Sequence, residues 1–226
     1  MASNFASVRA VVFDAVGTLI YPDPPAVVAY YGLGREHGSR LKEDDVARNF
    51  SRVLKRHAYE PRTSQQLERE RWRRIVDDVF TDLDDTEALF RQLWDHFACA
   101  ASWAVYEDVP EVFTQLSLLG LVIAIGSNFD NRLHAIAQQL SPLEQVREIF
   151  VSAQLGFTKP SIEFFRAIEA QLRRQPQQLL MIGDDLSNDI EGAAQSDWRT
   201  LHLNRDLGGP APGTIRSLRE IIPLFT

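Results

Sequence analysis

The stretch that decides the fold of this chain is residues 8–19, VRAVVFDAVGTL. Its first six residues, VRAVVF, are rich in β-branched side chains, which is typical of a strand buried inside a sheet. Asp14 follows directly, and Gly17 with Thr18 predicts a turn. A buried strand that ends in a carboxylate and a turn puts that carboxylate at the edge of a sheet.

After residue 110, apolar runs alternate with amphipathic helical patterns. This alternation predicts an α/β fold with a Rossmann-like parallel-sheet core, whose helices cover both faces. Ligands of such sheets bind beyond the carboxyl ends of the strands. The predicted strands cover 121–126, 149–152, 179–182 and 199–203, and the predicted helices cover 110–119, the segment from about 130, 161–174, about 189–196 and 217–222.

Residues 26–101 have a different texture, because apolar residues there recur at helical spacing among many charges. The pattern predicts about four amphipathic helices and no strand. The preceding run PDPP, residues 22–25, interrupts regular structure and is a candidate hinge. We therefore predict an α-helical cap domain over 22–104, inserted into a core domain formed by 1–21 and 105–226.

Composition limits the classes of partner. The chain has 226 residues, 45% of them apolar, and a net charge of −7, which argues against nucleic acid as a partner. The apolar run 118–126 is too short to span a bilayer, and no secretory leader precedes it. The single cysteine, Cys99, excludes an intramolecular disulfide and is expected to be buried. We expect a cytoplasmic protein without a membrane partner; its oligomeric state stays open.

Four polar clusters fall where strands end or loops open, and a parallel sheet brings all of them to one edge. A carboxylate can attack phosphorus, a divalent metal can neutralise charge, and a hydroxyl with an ammonium can hold phosphoryl oxygens. Together the clusters therefore predict phosphoryl transfer. They are Asp14, then Ser127 with Asn128, then Lys159, and finally Asp184, Asp185 and Asp189.

In this order the clusters resemble the four motifs of the haloacid dehalogenase-like hydrolase superfamily. FDAVGTL resembles the first motif, GSN the second, KP the third and GDDLSND the fourth. The helical stretch between the first two resembles the α-helical cap of that superfamily. The run SNFDNRL is similar to one branch, named haloacid dehalogenase-like hydrolase domain-containing protein three.

The resemblance implies a role for each matched position. Asp14 would be the nucleophile, and Ser127 and Lys159 would be catalytic with it. The substrate, a small phosphorylated molecule, would be bound by Thr18, Ser127, Asn128 and Lys159. The cofactor would be Mg²⁺, held by Asp14, the backbone carbonyl of Val16 and Asp184, with Asp189 supporting the metal's water shell or the lysine.

The first motif departs from the family pattern at one position, because Val16 stands where the phosphatases carry a second aspartate. That aspartate is their general acid and base, and losing such help typically lowers the rate by about 10²–10⁴-fold. A phosphatase without it would need substrates with good leaving groups, or an acid borrowed from Asp23 or His37.

Three alternatives to a phosphatase stay open. The 2-haloacid dehalogenases also lack the second aspartate, but they need no metal, whereas Asp184 is present here. A non-catalytic binding or regulatory protein would keep the fold without the reaction. Phosphonate cleavage would require a cap lysine, for which the sequence offers Lys42 and Lys55.

Overall fold

The computed structural model describes residues 5–206 and 211–225. Its central feature is a six-stranded sheet in the order β5-β4-β1-β6-β7-β8, in which every neighbouring pair is parallel. The strands are β1 Ala10–Phe13, β4 Val122–Ser127, β5 Glu148–Val151, β6 Leu179–Gly183, β7 Arg199–Leu203 and β8 Thr214–Ile215, and a separate antiparallel pair is formed by β2 Ile20–Pro22 and β3 Trp103–Val105.

Within the described ranges, four α-helices lie between β2 and β3, and five α-helices follow β3. The first four are α1 Ala26–Glu36, α2 Glu43–Arg56, α3 Gln65–Val79 and α4 Glu87–His96. The others are α5 Val109–Leu118, α6 Arg132–Ala137, α7 Ser152–Leu155, α8 Ile162–Leu172 and α9 Gly192–Gln195. The predicted α/β class with a parallel core sheet is therefore confirmed.

Each face of β1 packs into a different apolar cluster. Val11 and Phe13 point into one, with residues of α5, while Ala10 and Val12 point into the other, with residues of α8. Alternation of side chains along a strand puts successive residues on opposite faces. Because both faces are covered, β1 is apolar at every position, which is the pattern read from the sequence.

Helices α1 to α4, hereafter the helical insert, have an apolar cluster of their own. A hydrophobic core of its own is a property of a separate domain. The buried members of this cluster are Tyr30, Val46, Val53, Ile75, Val76, Val79, Phe80, Leu89, Phe90, Leu93 and Trp94.

The domain boundaries at 22 and 104 stay a prediction. Residues 1–4, 207–210 and 226, which belong to the predicted core domain, lie outside the described residues.

Two of the connections between the helical insert and the sheet are made by the backbone. The β2–β3 pair is the covalent one, because the chain leaves along β2 and returns along β3. The second is a pair of backbone hydrogen bonds, from Thr63 N to Gly156 O at 3.1 Å and from Thr158 N to Pro61 O at 3.2 Å. Segment 61–63 is thereby fastened to the loop directly before Lys159.

Some local predictions differ from the structure. The helix expected over 189–196 is a π-helix at Leu186–Glu191 followed by the short α9. The expectation that Cys99 is buried is wrong, since its side chain is exposed just after the end of α4. The apolar run around Cys99 continues past the last buried turn of that helix, so the run alone could not place it. Among the described residues, no helix combines the length and apolar character needed to cross a membrane.

Two glycines of α1 predict opposite effects of the same substitution. A Cβ at Gly34 would lie 2.3 Å from the buried Phe80 ring, whereas a Cβ at exposed Gly32 would meet nothing within 4 Å. We expect Gly34→Ala to lower the free energy of unfolding by about 1–2 kcal/mol, because overpacking outweighs the gain in helix propensity. Gly32→Ala should raise it by about 0.5–1 kcal/mol.

Urea denaturation followed by circular dichroism measures both changes, and Gly32→Ala is the matched control. A Gly34→Ala variant stabilised as much as Gly32→Ala would contradict the close packing of α1 on Phe80.

Candidate active site

The four polar clusters meet at the carboxyl edge of the sheet, as the strand order requires. Asp14 follows β1, and its backbone N donates to Ile182 O at 2.9 Å, so the neighbouring strand fixes it. Ser127 is the last residue of β4, and Asp184 follows β6 directly. Lys159 reaches the same edge from the loop before α8.

The ammonium of Lys159 is held at this edge of the sheet by three hydrogen bonds. Its Nζ donates to Asp14 Oδ1 at 2.6 Å, to Asp189 Oδ1 at 2.6 Å and to Gly126 O at 2.9 Å. An ammonium has three N–H donors, so all of them are used. Burial alone would lower the pKa of Lys159, but the charges and hydrogen bonds of Asp14 and Asp189 raise it above its usual value. The lysine therefore stays charged although it is 2% exposed.

Asn128 holds the backbone of Lys159. Its Nδ2 donates to Lys159 O at 2.9 Å, and its Oδ1 accepts from Lys159 N at 2.8 Å. The side-chain amide is therefore occupied on both atoms by the lysine loop, although Asn128 also lines the cavity described below. Its first role in this geometry is to place Lys159.

Carboxylate oxygens of Asp14, Asp184 and Asp189 all lie within 4.8 Å of one another. Two glycines make this approach possible. A Cβ at Gly17, whose φ is +90°, would lie 2.3 Å from Asp184 Oδ2, and a Cβ at Gly183 would lie 2.1 Å from Asp189 Oδ2. Each glycine thus leaves the volume that a carboxylate fills.

The acidic cluster carries more negative than positive charge. When all three acids are ionised, they exceed the single lysine by two charges. Burial in the cleft, with the nearby Asp14 carboxylate, raises the pKa of Asp184 to about 6, although Thr18 donates to Asp184 Oδ1 at 3.2 Å. Such an excess of oxygen ligands and charge fits a hard divalent cation.

Asp189 and Asp185 are already engaged by the protein. Asp189 accepts from Lys159 through Oδ1 and from Asp185 N through Oδ2, the latter at 3.1 Å. Burial raises the pKa of Asp189, and the charge of Lys159 opposes that rise. Asp185 caps the π-helix by accepting from the backbone N atoms of Ser187 and Asn188. Supporting Lys159 is therefore the role of Asp189 that this geometry favours.

Thr18 has a different place from the one predicted. It is fully buried, it is absent from the cavity wall, and its hydroxyl points to Asp184. Its backbone O accepts from Arg205 Nη2 at 2.9 Å, and Arg205 is itself held by the buried Asp108. The contacts of Thr18 therefore orient Asp184 and fix the turn after β1, and its predicted contact with the substrate stays a prediction.

A cavity of about 590 Å³ lies between this edge and the helical insert. This volume is in the usual range for small-molecule sites, about 300–1,000 Å³. Asp14, Ser127, Lys159 and Asp184 line its floor, together with Val16. The wall above comes mainly from aromatic and apolar side chains of the insert, including Tyr59, Trp72, Trp94 and Phe97.

Several candidates for other chemistry lie away from this cavity. Asp23 and His37, the candidates to replace the missing aspartate, do not line it, and His37 instead pairs with Gln92. Lys42 and Lys55 are exposed and do not line it either, so the phosphonate alternative loses its lysine.

The sequence did not predict which residues of the helical insert line the wall of the cavity. Arg71 and Tyr59 carry no motif signal, because a helical pattern does not tell which face turns toward a cavity. Asp130 and Arg132 did have a signal, since both belong to the quoted run SNFDNRL. Asp130 is buried and pairs with Arg132 through both carboxylate oxygens.

Comparison with known proteins identifies the family of this chain. The family profile for haloacid dehalogenase-like hydrolase matches residues 8–197. Haloacid dehalogenase-like hydrolase domain-containing protein 3 of Xenopus laevis is 27% identical over 193 residues, which are 81% of this chain and 79% of that protein. The N-acetylmuramic acid 6-phosphate phosphatase of Pseudomonas aeruginosa is 24% identical over 199 residues, 85% of this chain and 80% of its own length.

The fold is also similar to that of solved structures. An L-2-haloacid dehalogenase from Xanthobacter autotrophicus, with chloropropionic acid covalently bound, has a TM-score of 0.74 at 15% identity. The likeness covers 96% of this chain and 98% of that one. Phosphatases and dehalogenases thus share this architecture, and the branch expected from SNFDNRL is confirmed.

The ion pairs of Lys159 with Asp14 and Asp189 predict a large loss of stability when its ammonium is removed. Lys159→Met leaves two buried carboxylates without their cation and should lower the free energy of unfolding by about 3–5 kcal/mol at pH 7. Its removal raises the pKa of Asp189 further, so the folded variant binds protons more readily than the unfolded chain. The deficit should therefore shrink from pH 7 to pH 5.

Urea denaturation at both pH values measures this loss. Lys55→Met, at an exposed lysine, is the control and should change stability by less than about 0.5 kcal/mol. The double variant Lys159→Met/Asp189→Asn should recover part of the loss, because one buried charge is gone. A Lys159→Met variant as stable as Lys55→Met would contradict the claim that the ammonium stabilises the two buried carboxylates.

Proposed function

The chain belongs to the haloacid dehalogenase-like hydrolase family, and on that premise we propose that it is a Mg²⁺-dependent phosphatase for a small phosphorylated molecule. The observation that carries the proposal is the position of Asp14. Its carboxylate lies on the floor of the cavity, one oxygen is held by Lys159, and two further acids lie within 4.8 Å. Sequence similarity to a named phosphatase supports the same class.

Asp14 would be the nucleophile. A carboxylate oxygen attacks phosphorus, the bond from phosphorus to the leaving oxygen breaks, and an aspartyl phosphate forms. Water then attacks phosphorus, the bond to Asp14 breaks, and inorganic phosphate leaves. Lys159 holds Asp14 Oδ1 throughout and offsets part of the negative charge, while the Ser127 hydroxyl on the cavity floor would bind a phosphoryl oxygen.

The residues present fit Mg²⁺. Asp14 and Asp184 would hold it directly, with the backbone carbonyl of Val16, and Asp189 would act through water because both its oxygens already accept hydrogen bonds. The ion would neutralise the surplus charge of the acids and of the phosphoryl group. Gly17 leaves the room in which Asp184 can turn toward Asp14.

Val16 decides which phosphates are good substrates. Its side chain cannot donate a proton to the leaving oxygen, and neither Asp23 nor His37 lines the cavity. Asp130 does line it, but both of its oxygens are paired with Arg132. Without a general acid, leaving groups that depart as stable anions, as in acyl phosphates, should react much faster than alkyl phosphates.

A 2-haloacid dehalogenase is the second candidate, favoured by one observation. Halide leaves without protonation, so Val16 is no obstacle to that reaction. The acidic cluster is the observation against it, because a haloacid needs no cation. Release of chloride from 2-chloropropionate without Mg²⁺ would support this candidate.

Hydrolysis of acetyl phosphate and p-nitrophenyl phosphate is the first test. We expect turnover with Mg²⁺ that disappears after chelation and falls at least about 10³-fold in Asp14→Asn, because the nucleophile is lost. Asp44→Asn, at an exposed acid of α2, should keep full activity. Equal rates in wild type and Asp14→Asn would exclude the proposed nucleophile, and chloride release by an inactive phosphatase would replace it by the dehalogenase.

Restoring the missing acid is the second test. Val16→Asp should raise kcat for an alkyl phosphate such as ethyl phosphate by about 10²-fold or more, because position 16 lines the cavity beside Asp14. The rate for p-nitrophenyl phosphate should change far less, since its leaving group needs no proton. Val16→Asn is the control, because an amide of similar size cannot act as a general acid. The same gain for Val16→Asn would show that the added acid is not responsible.

A further inference from the structure

We propose that the cavity accepts a substrate with a flat apolar body and a second anionic group, and that Arg71 of the helical insert binds this second anion. The inference rests on the proposed function and deepens it, because it names the substrate class of the same site. The phosphoryl group would lie at Asp14 and Lys159, and the second anion at the opposite wall.

The apolar body is indicated by the wall itself. Tyr59, Trp72, Trp94, Phe97, Trp103 and Phe129 line the space above the acidic edge. Aromatic rings stack on flat groups and offer few hydrogen bonds. A wall of this kind adds little affinity for a small polar phosphate such as a short sugar phosphate, and it suits a ring or an unsaturated chain.

Two guanidinium groups interrupt this apolar wall, those of Arg71 and Arg132, and each nitrogen of Arg132 already donates one hydrogen bond. Its Nε and Nη2 donate to the two oxygens of Asp130 at 2.8 and 2.7 Å, and its Nη1 donates to Trp94 O at 3.0 Å. The guanidinium also stacks on the Trp94 ring, 3.5 Å from its centroid. Arg132 is therefore a structural cation whose charge is matched.

Arg71 is engaged on one side only. Its Nε donates to His57 O at 2.8 Å, and its guanidinium stacks 3.9 Å from the centroid of the Tyr59 ring. Its Nη1 lies 3.5 Å from Glu68 Oε2 and makes no hydrogen bond. Within residues 5–206 and 211–225, the bond from Nε to His57 O is the one hydrogen bond of the guanidinium, and Arg71 lines the cavity, so terminal N–H donors remain for a ligand.

Glu68 offsets the charge of Arg71 only in part. It is buried and accepts from the Thr63 hydroxyl at 2.7 Å, which is closer than its contact with Arg71. Burial raises the pKa of Glu68, and its hydrogen bond and the arginines only reduce that rise. A carboxylate or phosphate of a ligand would therefore find a cation whose ion pair with Glu68 includes no hydrogen bond.

Tyr59 connects this cation to the proposed phosphoryl site. Its hydroxyl donates to Asn128 O at 3.1 Å, and Asn128 in turn clamps Lys159. The stack of Arg71 on Tyr59 therefore has a fixed position relative to Lys159. A rigid ligand with anions at both ends can meet both cations without rearranging the wall.

Binding of phosphonates tests the proposal without relying on turnover, because the carbon–phosphorus bond cannot be hydrolysed by this route. The probes are 4-phosphonobenzoate and a longer 4′-phosphonobiphenyl-4-carboxylate, each compared with its neutral carboxamide, in the presence of Mg²⁺. Three of the four tryptophans, Trp72, Trp94 and Trp103, line the cavity, so tryptophan fluorescence reports binding. We expect at least one acid to bind about tenfold or more tightly than its amide.

Variants assign the effect to Arg71. In Arg71→Met the preference for the acid should fall below about threefold, and in Arg71→Lys, which keeps a cation beside Glu68, it should be intermediate. Arg74→Met, an exposed arginine of the same helix, should leave it unchanged. Thermal unfolding checks that each variant is folded; if Arg71→Met is not, the acid–amide comparison in wild type and Arg71→Lys decides.

Equal binding of acid and amide in wild type would overturn the second-anion site while leaving the phosphatase proposal intact. A tenfold preference that persists in Arg71→Met would overturn the assignment to Arg71. If no phosphonate binds at all, the phosphoryl site itself fails. A clear preference in a protein without phosphatase activity would retain the anion site and reject the reaction.

Discussion

The rest of the site depends on one ammonium group shared between two buried carboxylates. Without Lys159, Asp14 and Asp189 would face each other at the edge of a sheet that excludes most water, and their repulsion would push them apart or neutralise them. With it, one carboxylate oxygen of Asp14 is held in a fixed direction. The strands bring the acids together, and the positive charge of the lysine offsets the repulsion between them.

The lysine is itself placed by backbone contacts. Asn128 comes from the end of β4 and grips both backbone polar groups of Lys159, so the second and third clusters of the sequence form one unit. Gly17 and Gly183 act in the opposite way, by leaving out atoms where Asp184 and Asp189 must lie. The contacts of Lys159 and the absence of side chains at the two glycines together allow the three acids to lie within 4.8 Å of one another.

The sequence predicted the sheet and the floor of the site well, because both follow from local rules. A β-branched run such as VRAVVF marks a buried strand, and an acid directly after it must lie at the carboxyl edge. The short β2 and β3 were missed, since three residues give no periodicity. The place of Thr18 and the free edge of Arg71 depend on tertiary contacts that no spacing along the chain encodes.

Segment 61–63 is fastened by backbone hydrogen bonds to the loop that leads into Lys159, and Tyr59 adds a bond to Asn128. A ligand that enters by lifting the helical insert must break these bonds, and they can form again only when the insert is back in place. Entry of this kind would therefore also free the backbone beside Lys159, so that access to the cavity and the position of the lysine would depend on the same contacts.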